Sequence, residues 1–406
     1  MPLKDQGPSY LISAGEFSGD LLGADLVQAM REVLPKYTPF GITGPGMAQA
    51  GVTSIASISE LSVMGVSEVL SRLGSLRMLE SRVLEWVDRY QPRFAILIDN
   101  PGFHLRLAEQ LKMRGIKVFQ FVAPKLWAWG AGRAPKLRAV YDLVLGILPF
   151  EEQFFKDRGI NYKYIGSPLK DRVEKVMVTR DHLGFPPGRP IIACLPGSRM
   201  SELKLNLPTL VATRDVVARK LPEALFVVPV APSLSFEDVA RILGYPSDVP
   251  LTRSEGVFAG ETYELSGLHF LRGMSLELMA ACDAAVVASG TATLECALLG
   301  TPMVVVYTMS SLSYRVAQKV VKLPYVSLVN LMAGRKLVSE YIQEFSVDEI
   351  GTEVVELLQP SPKRLEMKRA FEEMREQLEG AAALQAATAI AKYLDGPRVA
   401  SITVGV

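Results

Sequence analysis

Four clusters in the chain combine residue types that could do chemistry. In Ser289-Gly290-Thr291-Ala292-Thr293-Leu294-Glu295, small side chains would let a ligand approach the backbone, and the hydroxyls of Thr291 and Thr293 could donate to an anion. Glu295, about one turn further on, could accept hydrogen bonds from a sugar diol; the alternative is an ordinary packing turn. In Pro196-Gly197-Ser198-Arg199-Met200-Ser201-Glu202, a guanidinium beside a glycine-serine turn suits a diphosphate, because it is always charged and can hold two oxygens at once. Pairing of Arg199 with Glu202 is the competing expectation. Asp99 closes an apolar run and is a candidate general base, with His104 a weaker one better suited to a helix start or a supporting role. The fourth cluster, Ser13 to Asp20, carries Glu16, Ser18 and Gly19 and lacks the dinucleotide glycine pattern. Its carboxylates would repel a phosphate, so a hydroxyl-rich ligand fits it better, unless Asp20 only caps a helix. Trp127 and Trp129, beside Lys125, Arg133, Lys136 and Arg138, could stack on a sugar, line an apolar pocket and hold a phosphate, or close the base of a domain.

Each cluster follows a short apolar run and opens a helical pattern, which is the order strand, turn, helix. In a parallel sheet that turn sits at the carboxyl end of the strand, facing the ligand crevice. Strands are expected at residues 10–12, 40–42, 94–98, 118–122, 143–148 and 164–165, and then at 191–195, 225–230, 278–282, 286–287 and 303–306. After Pro168 the pattern restarts through a charged stretch and a loop rich in glycine and proline. Residues 314–321 read as helix, 327–335 as a loop leading to Glu340 and Gln343, and 364–393 as a helical tail. Over residues 66–87 the apolar positions Val66, Val69, Leu70, Leu73, Leu76, Leu79, Val83, Leu84 and Val87 fall at helical spacing, with Arg72, Arg77 and Arg82 interleaved. That is either a helix packed on a sheet or an amphipathic surface for a membrane or acyl chains.

With 406 residues, 49% of them hydrophobic, the chain can bury two full cores and is not expected to be disordered. A net charge of +1 gives no general attraction to nucleic acid. Cys194, Cys282 and Cys296 lack metal or redox spacing and are expected as small buried residues in a reducing compartment. The first residues do not read as a leader, and no run reaches the ~20 apolar residues of a membrane span, so a cytoplasmic protein is expected.

Two consecutive α/β halves describe a GT-B architecture, with two Rossmann-like domains whose parallel sheets face a cleft. The motifs then bring a closer resemblance. Ser13-Ala-Gly-Glu-Phe-Ser-Gly-Asp20, Leu61-Ser-Val-Met-Gly-Val66 with Glu68-Val-Leu70, Trp127-Ala-Trp129, Leu148-Pro-Phe150, Leu195-Pro-Gly-Ser-Arg199 with Glu202, Ser289 to Glu295, and Asn330-Leu-Met-Ala-Gly-Arg335 occur in one order. Together, from residue 13 to about residue 343, they resemble the lipid-A-disaccharide synthase family. The resemblance implies an inverting transfer of 2,3-diacylglucosamine from UDP to 2,3-diacylglucosamine 1-phosphate, on the inner face of the inner membrane of a Gram-negative bacterium. Asp99 would be the base, with Arg199 and the helix start at Gly290 and Thr291 stabilising the diphosphate. Ser198, Ser289, Ala292, Glu295, Asn330 and Gln343 would complete the donor side, and Glu16, Ser18, Gly19, Met64 and Trp127 the acceptor side. Val66, Val69, Leu70, Arg72, Leu73, Leu76 and Arg77 would meet the membrane or the acyl chains.

The implied domains are an acceptor-binding domain at 1–172, a UDP-sugar domain at 173–358, and helices at 359–406 that pack back on the first domain or exchange with a partner. Either a monomer or a homodimer is compatible. With no His and Asp cluster of metal-ligand spacing, no cofactor and a metal-independent reaction are expected. Departures from the family pattern stand at Gly102, where a second Asp is usual, and at Ala123 and Lys125, where a serine pair is usual. Another UDP-N-acetylglucosamine transferase or epimerase of the same fold, or a non-catalytic nucleotide-sugar sensor, would keep the donor motif.

Overall fold

The computed structural model describes residues 7–61, 73–231, 234–246, 252–253, 262–320 and 323–395. The chain forms two compact units, one reaching Pro168 and resuming at Glu379, the other spanning Leu169–Leu378. In the first unit the strands are β1 (Ser9–Ala14), β2 (Thr38–Thr43), β3 (Thr53–Ser57), β4 (Phe94–Ile98), β5 (Lys117–Phe121), β6 (Leu143–Gly146) and β7 (Tyr162–Tyr164). They pair in the order β3-β2-β1-β4-β5-β6-β7, all parallel. Strands β1, β4 and β5 are almost wholly buried, as expected of a sheet covered on both faces by crossover helices. The order reverses between β1 and β4, so a crevice opens at their carboxyl ends.

The second unit contains β8 (Ile191–Leu195), β9 (Leu225–Val230), β10 (Thr252–Arg253), β11 (Thr262–Leu265), β12 (Leu268–Arg272), β13 (Ala284–Ala288), β14 (Met303–Tyr307) and β15 (Glu340–Ile342). Their order is β10-β11-β12-β9-β8-β13-β14-β15, parallel apart from the antiparallel β10-β11-β12 edge. Here the reversal lies between β8 and β13, the strands that end at Pro196 and Ser289.

Several expected elements differ. Residues 278–281 belong to the helix Ser275–Ala281, with Cys282 as its C-cap, rather than to a strand, because an apolar run this short fits either period. The stretch 327–335 is a helix, Leu328–Ala333, with Ser327 as N-cap and Gly334 left-handed at its end. The tail is two helices. Pro362–Gln377 buries Met367, Phe371 and Met374 in the second unit, whereas Ala382–Asp395 packs in the first unit on the helix Phe17–Val33. Extended backbone at Leu378 and a left-handed Ala381 break the helical run between them. Cys194 and Cys296 are buried, but Cys282 is only half-buried.

Met64, Val66, Val69, Leu70 and Arg72 lie outside the described residues, and Leu73 is described only as the first residue of the helix Leu73–Tyr90. Along that helix Leu79, Val83 and Val87 are buried, and Leu76 packs against the same core, while Arg77 and Met78 are exposed. The described part of the stripe, from Leu76 to Val87, therefore faces the core. Leu76 is turned to the core, contrary to its expected lipid contact.

Asp20 shows why the first crevice keeps its shape. It is fully buried in the helix Phe17–Val33, and its carboxylate accepts from Gly44 N and Gly46 N at 2.7 Å each and from Met47 N at 3.1 Å. It caps the next helix, Pro45–Gln49, rather than its own. A Cβ at Gly44 would lie 2.5 Å from Asp20 Oδ2, so only glycine allows this approach. Replacing Asp20 with alanine leaves three buried N–H groups unsatisfied, and we expect a loss of about 2–4 kcal/mol in urea denaturation. Unchanged stability would show that water replaces the carboxylate there.

Candidate functional site

At the first reversal Ala14 pairs with Ile98, and the two strands end side by side. Asp99 N still donates to Phe121 O at 3.0 Å, but Asp99 and Asn100 then turn left-handed, with φ of 51° and 42°. Asp and Asn tolerate this region better than other residues with a Cβ, yet two in succession need outside support. Asn100 caps the helix Pro101–Met113, and its side chain fills the space above Gly15 so closely that a Cβ there would lie 2.3 Å from Asn100 Cβ.

The second support is a buried pair. His104 Nδ1 lies 2.8 Å from the Asp99 carbonyl, which can only accept, so Nδ1 carries the proton. Nε2 then accepts from the Ser13 hydroxyl at 2.9 Å. Burial depresses the His104 pKa to about 4, so the ring is neutral near pH 7. His104 is thus a supporting residue under Asp99, without access to a ligand. Beyond Asp99, Gln120 Nε2 donates to Val122 O at 3.1 Å, and Val122 has φ of 68°, a value that strains a β-branched residue.

Among the acceptor-side candidates, Ser18 Oγ donates to Glu16 Oε1 at 2.9 Å, and Ser18 is exposed at the helix start. Gly19 is buried with its Cα facing Ile98, so it permits packing rather than touching a ligand. Trp127 is half-buried and donates its indole N–H to Glu151 at 2.8 Å.

In the second unit, Glu202 closes the loop after β8. Its Oε2 accepts from Ser198 N at 2.9 Å and Arg199 N at 3.3 Å, and its Oε1 lies 3.0 Å from Arg199 Nη1. Gly197, at φ 114°, makes room for that carboxylate. Asn206, fully enclosed in the helix Met200–Lys220, donates to Pro196 O at 2.9 Å and accepts from Thr308 N at 3.2 Å, tying the ends of β8 and β14.

After β13 the helix Thr291–Leu298 begins beside Gly290, whose Cβ position is open. Thr291 is exposed and Ser289 and Ala292 are half-buried. Thr293, expected as an anion donor, is buried and donates back to Gly290 O at 2.8 Å. Glu295 is almost fully buried, and its pKa is raised by that burial, against the pull of Arg172 at 3.5 Å. Asn330 departs furthest from its expected role. Its Nδ2 donates to Val338 O and Glu340 Oε1 at 2.9 Å each, and its Oδ1 accepts from Leu337 N and Val338 N at 2.8 and 2.9 Å. With every side-chain polar atom used, it staples residues 337–340 and has nothing left for a donor. Gln343, left-handed at φ 61°, accepts from Met309 N at 3.1 Å and orders the turn after β14.

The family model described as lipid-A-disaccharide synthetase matches residues 10–393. The chain belongs to the lipid-A-disaccharide synthase family. It is 38% identical to the synthase of Myxococcus xanthus over 97% of this chain and 99% of that one. It is also 41% identical to that of an Anaeromyxobacter species over 91% and 92%. The fold is GT-B. A calicheamicin glycosyltransferase, CalG4, superposes with a TM-score of 0.58 at 14% identity over 97% of this chain and all of that one. A Neisseria meningitidis UDP-GlcNAc 2-epimerase gives 0.55 at 12% identity over 95% and 99%.

In this chain Asp99 follows the end of β4, Arg199 precedes the helix Met200–Lys220, and Glu295 lies inside the helix Thr291–Leu298. Asn206, Glu340 and Glu151 carry no sequence signal as loop organisers, because their partners are backbone groups or distant side chains. No three His, Cys, Asp or Glu side chains among the described residues group as a metal site.

The depressed His104 pKa predicts an acid-side stability slope. The unfolded chain, with a pKa near 6.5, binds a proton that the folded chain refuses until about pH 4, so stability falls as pH drops through that window. Its contribution is up to about 1.4 kcal/mol per pH unit there. Denaturation at stepped pH is expected to show a shallower slope in His104→Asn. An equal slope in both proteins would contradict a neutral, buried ring.

Proposed function

We propose that this synthase-family chain transfers 2,3-diacylglucosamine from UDP to the 6-hydroxyl of 2,3-diacylglucosamine 1-phosphate, with inversion, giving the disaccharide 1-phosphate and UDP. The observation that supports this most is the family match across residues 10–393. In one in-line displacement, Asp99 would take the proton of the acceptor hydroxyl as that oxygen attacks the anomeric carbon and the bond to the diphosphate breaks. Its left-handed backbone at the β4 end supports that role.

Negative charge developing on the leaving diphosphate would be met by Arg199 and by the open helix start at Gly290 and Thr291. Arg199 is now held by Glu202, but this pair is partly exposed and worth at most about 1 kcal/mol, so a doubly charged ligand can compete for it. Glu295 would take the ribose hydroxyls in exchange for Arg172. Glu16, Ser18 and Trp127 would meet the acceptor. Fixed cations and helix-start N–H groups would serve in place of a divalent ion. Acylated substrates call for work at the inner face of the inner membrane, and no helix among the described residues is long and apolar enough to cross it.

The test is incubation with both acylated substrates in EDTA. Disaccharide and UDP are expected in equal amounts, with kcat lowered about 10²–10⁴-fold by Asp99→Asn. Undiminished turnover in Asp99→Ala would remove the base assignment, and no product from the wild type would remove the reaction.

A further inference from the structure

Glu151 is a buried carboxyl group that the proposed chemistry leaves unused. It is 1% exposed, at the start of the helix Glu151–Lys156 that follows β6. Its Oε1 lies 2.8 Å from Trp127 Nε1, and its Oε2 lies 3.2 Å from the Tyr162 hydroxyl on β7. The Tyr162 hydroxyl is also 3.2 Å from Leu148 O. Gly146 makes this possible: a Cβ there would stand 1.8 Å from the Tyr162 oxygen, so only glycine lets the phenol cross over β6. The segments that follow β5 and β6 and the first residue of β7 thus meet on one side chain, and the Trp127 ring packs edge-on against Phe150 at 5.0 Å.

The donors dictate how the group behaves. Indole N–H can only donate, so Oε1 accepts in every protonation state. With Glu151 ionised, Tyr162 donates to Oε2; with a proton on Oε2, that proton bonds the phenol oxygen and Tyr162 donates to Leu148 O. Both arrangements satisfy every partner. What changes is the strength of the Trp127 bond, since a hydrogen bond to a carboxylate is roughly twice as strong as one to a neutral carboxyl.

We infer that Glu151 is a positioning residue for the acceptor side: through the indole N–H it fixes Trp127 and with it the shape of the loop at 123–130. This rests on the reading that Trp127 meets the acceptor. Burial raises the Glu151 pKa to about 7, with the Trp127 and Tyr162 bonds and the charge of Lys125 acting against it. Glu152 and Tyr164 are the other titratable groups bearing on Tyr162. The grip on Trp127 is therefore graded across neutral pH.

The test combines emission with kinetics. Wild-type tryptophan emission, with the W127F protein subtracted, is expected to titrate near pH 7, and this transition is expected to vanish in Glu151→Gln. Glu151→Gln keeps both hydrogen bonds and should hold the acceptor KM near wild type. Glu151→Leu should raise it about tenfold with the donor KM unmoved. No transition in the wild type, or equal changes in both KM values, would overturn the inference. If Glu151→Leu does not fold, the wild-type and W127F titration alone decides. An unchanged acceptor KM in W127F would remove the acceptor reading of Trp127 while leaving the Glu151 to Trp127 coupling to be judged by emission.

Discussion

The left-handed turn at Asp99 and Asn100 is the constraint around which the first unit's site is arranged. Each of these residues sits in a region that costs about 1–3 kcal/mol to occupy, and the turn persists because its surroundings leave no alternative. Ladder pairing of Asp99 N with Phe121 O fixes one side. The His104 ring, oriented by Ser13, fixes the Asp99 carbonyl from below, and Gly15 admits the Asn100 side chain from above. The backbone that carries Asp99 is therefore held by buried, neutral groups. Pre-organisation of this kind would let Asp99 act as the proposed base without first being ordered.

In the second unit the polar loops at the strand ends are tied by side chains from neighbouring elements. Glu202 occupies the N–H groups after β8, Glu340 and Asn330 bind the stretch before β15, and Asn206 joins two strand ends from within a helix. Among the described residues nothing lies within 4 Å of the Cβ position of Gly290, which opens the helix Thr291–Leu298, and Thr291 is exposed. An open helix start of this kind would suit the diphosphate of the proposed donor.

Much of this was legible in the sequence. Strand, small-residue turn and helix start placed Asp99, Arg199 and Ser289 to Glu295 at strand ends because the parallel-sheet pattern is local and periodic. Misreadings arose where the deciding partner is distant in sequence. Asn330 has the composition of a ligand-binding residue, yet backbone groups at 337 and 338 consume it. Thr293 turns inward because its hydroxyl finds Gly290 O, and Leu76 turns inward because the stripe continuing to Val87 covers the sheet. Residues 278–282 could not be told from a strand by five apolar positions. The C-terminal tail divides at residues 378–381, where an extended Leu378 and a left-handed Ala381 flank Gly380, the one helix-breaking residue in an otherwise helical composition.

If the Asp99 to Asn100 turn is what makes the base competent, a methyl group at Gly15 is the most direct probe, since it displaces Asn100 without touching any charged group. The measurement is single-turnover transfer by Gly15→Ala, alongside UDP binding to the same protein. We predict a rate about 10²-fold or more below wild type, the order of loss expected for a misplacement near 1 Å, with UDP affinity unchanged. Wild-type turnover in a folded Gly15→Ala protein would contradict the claim that this strained turn positions the base.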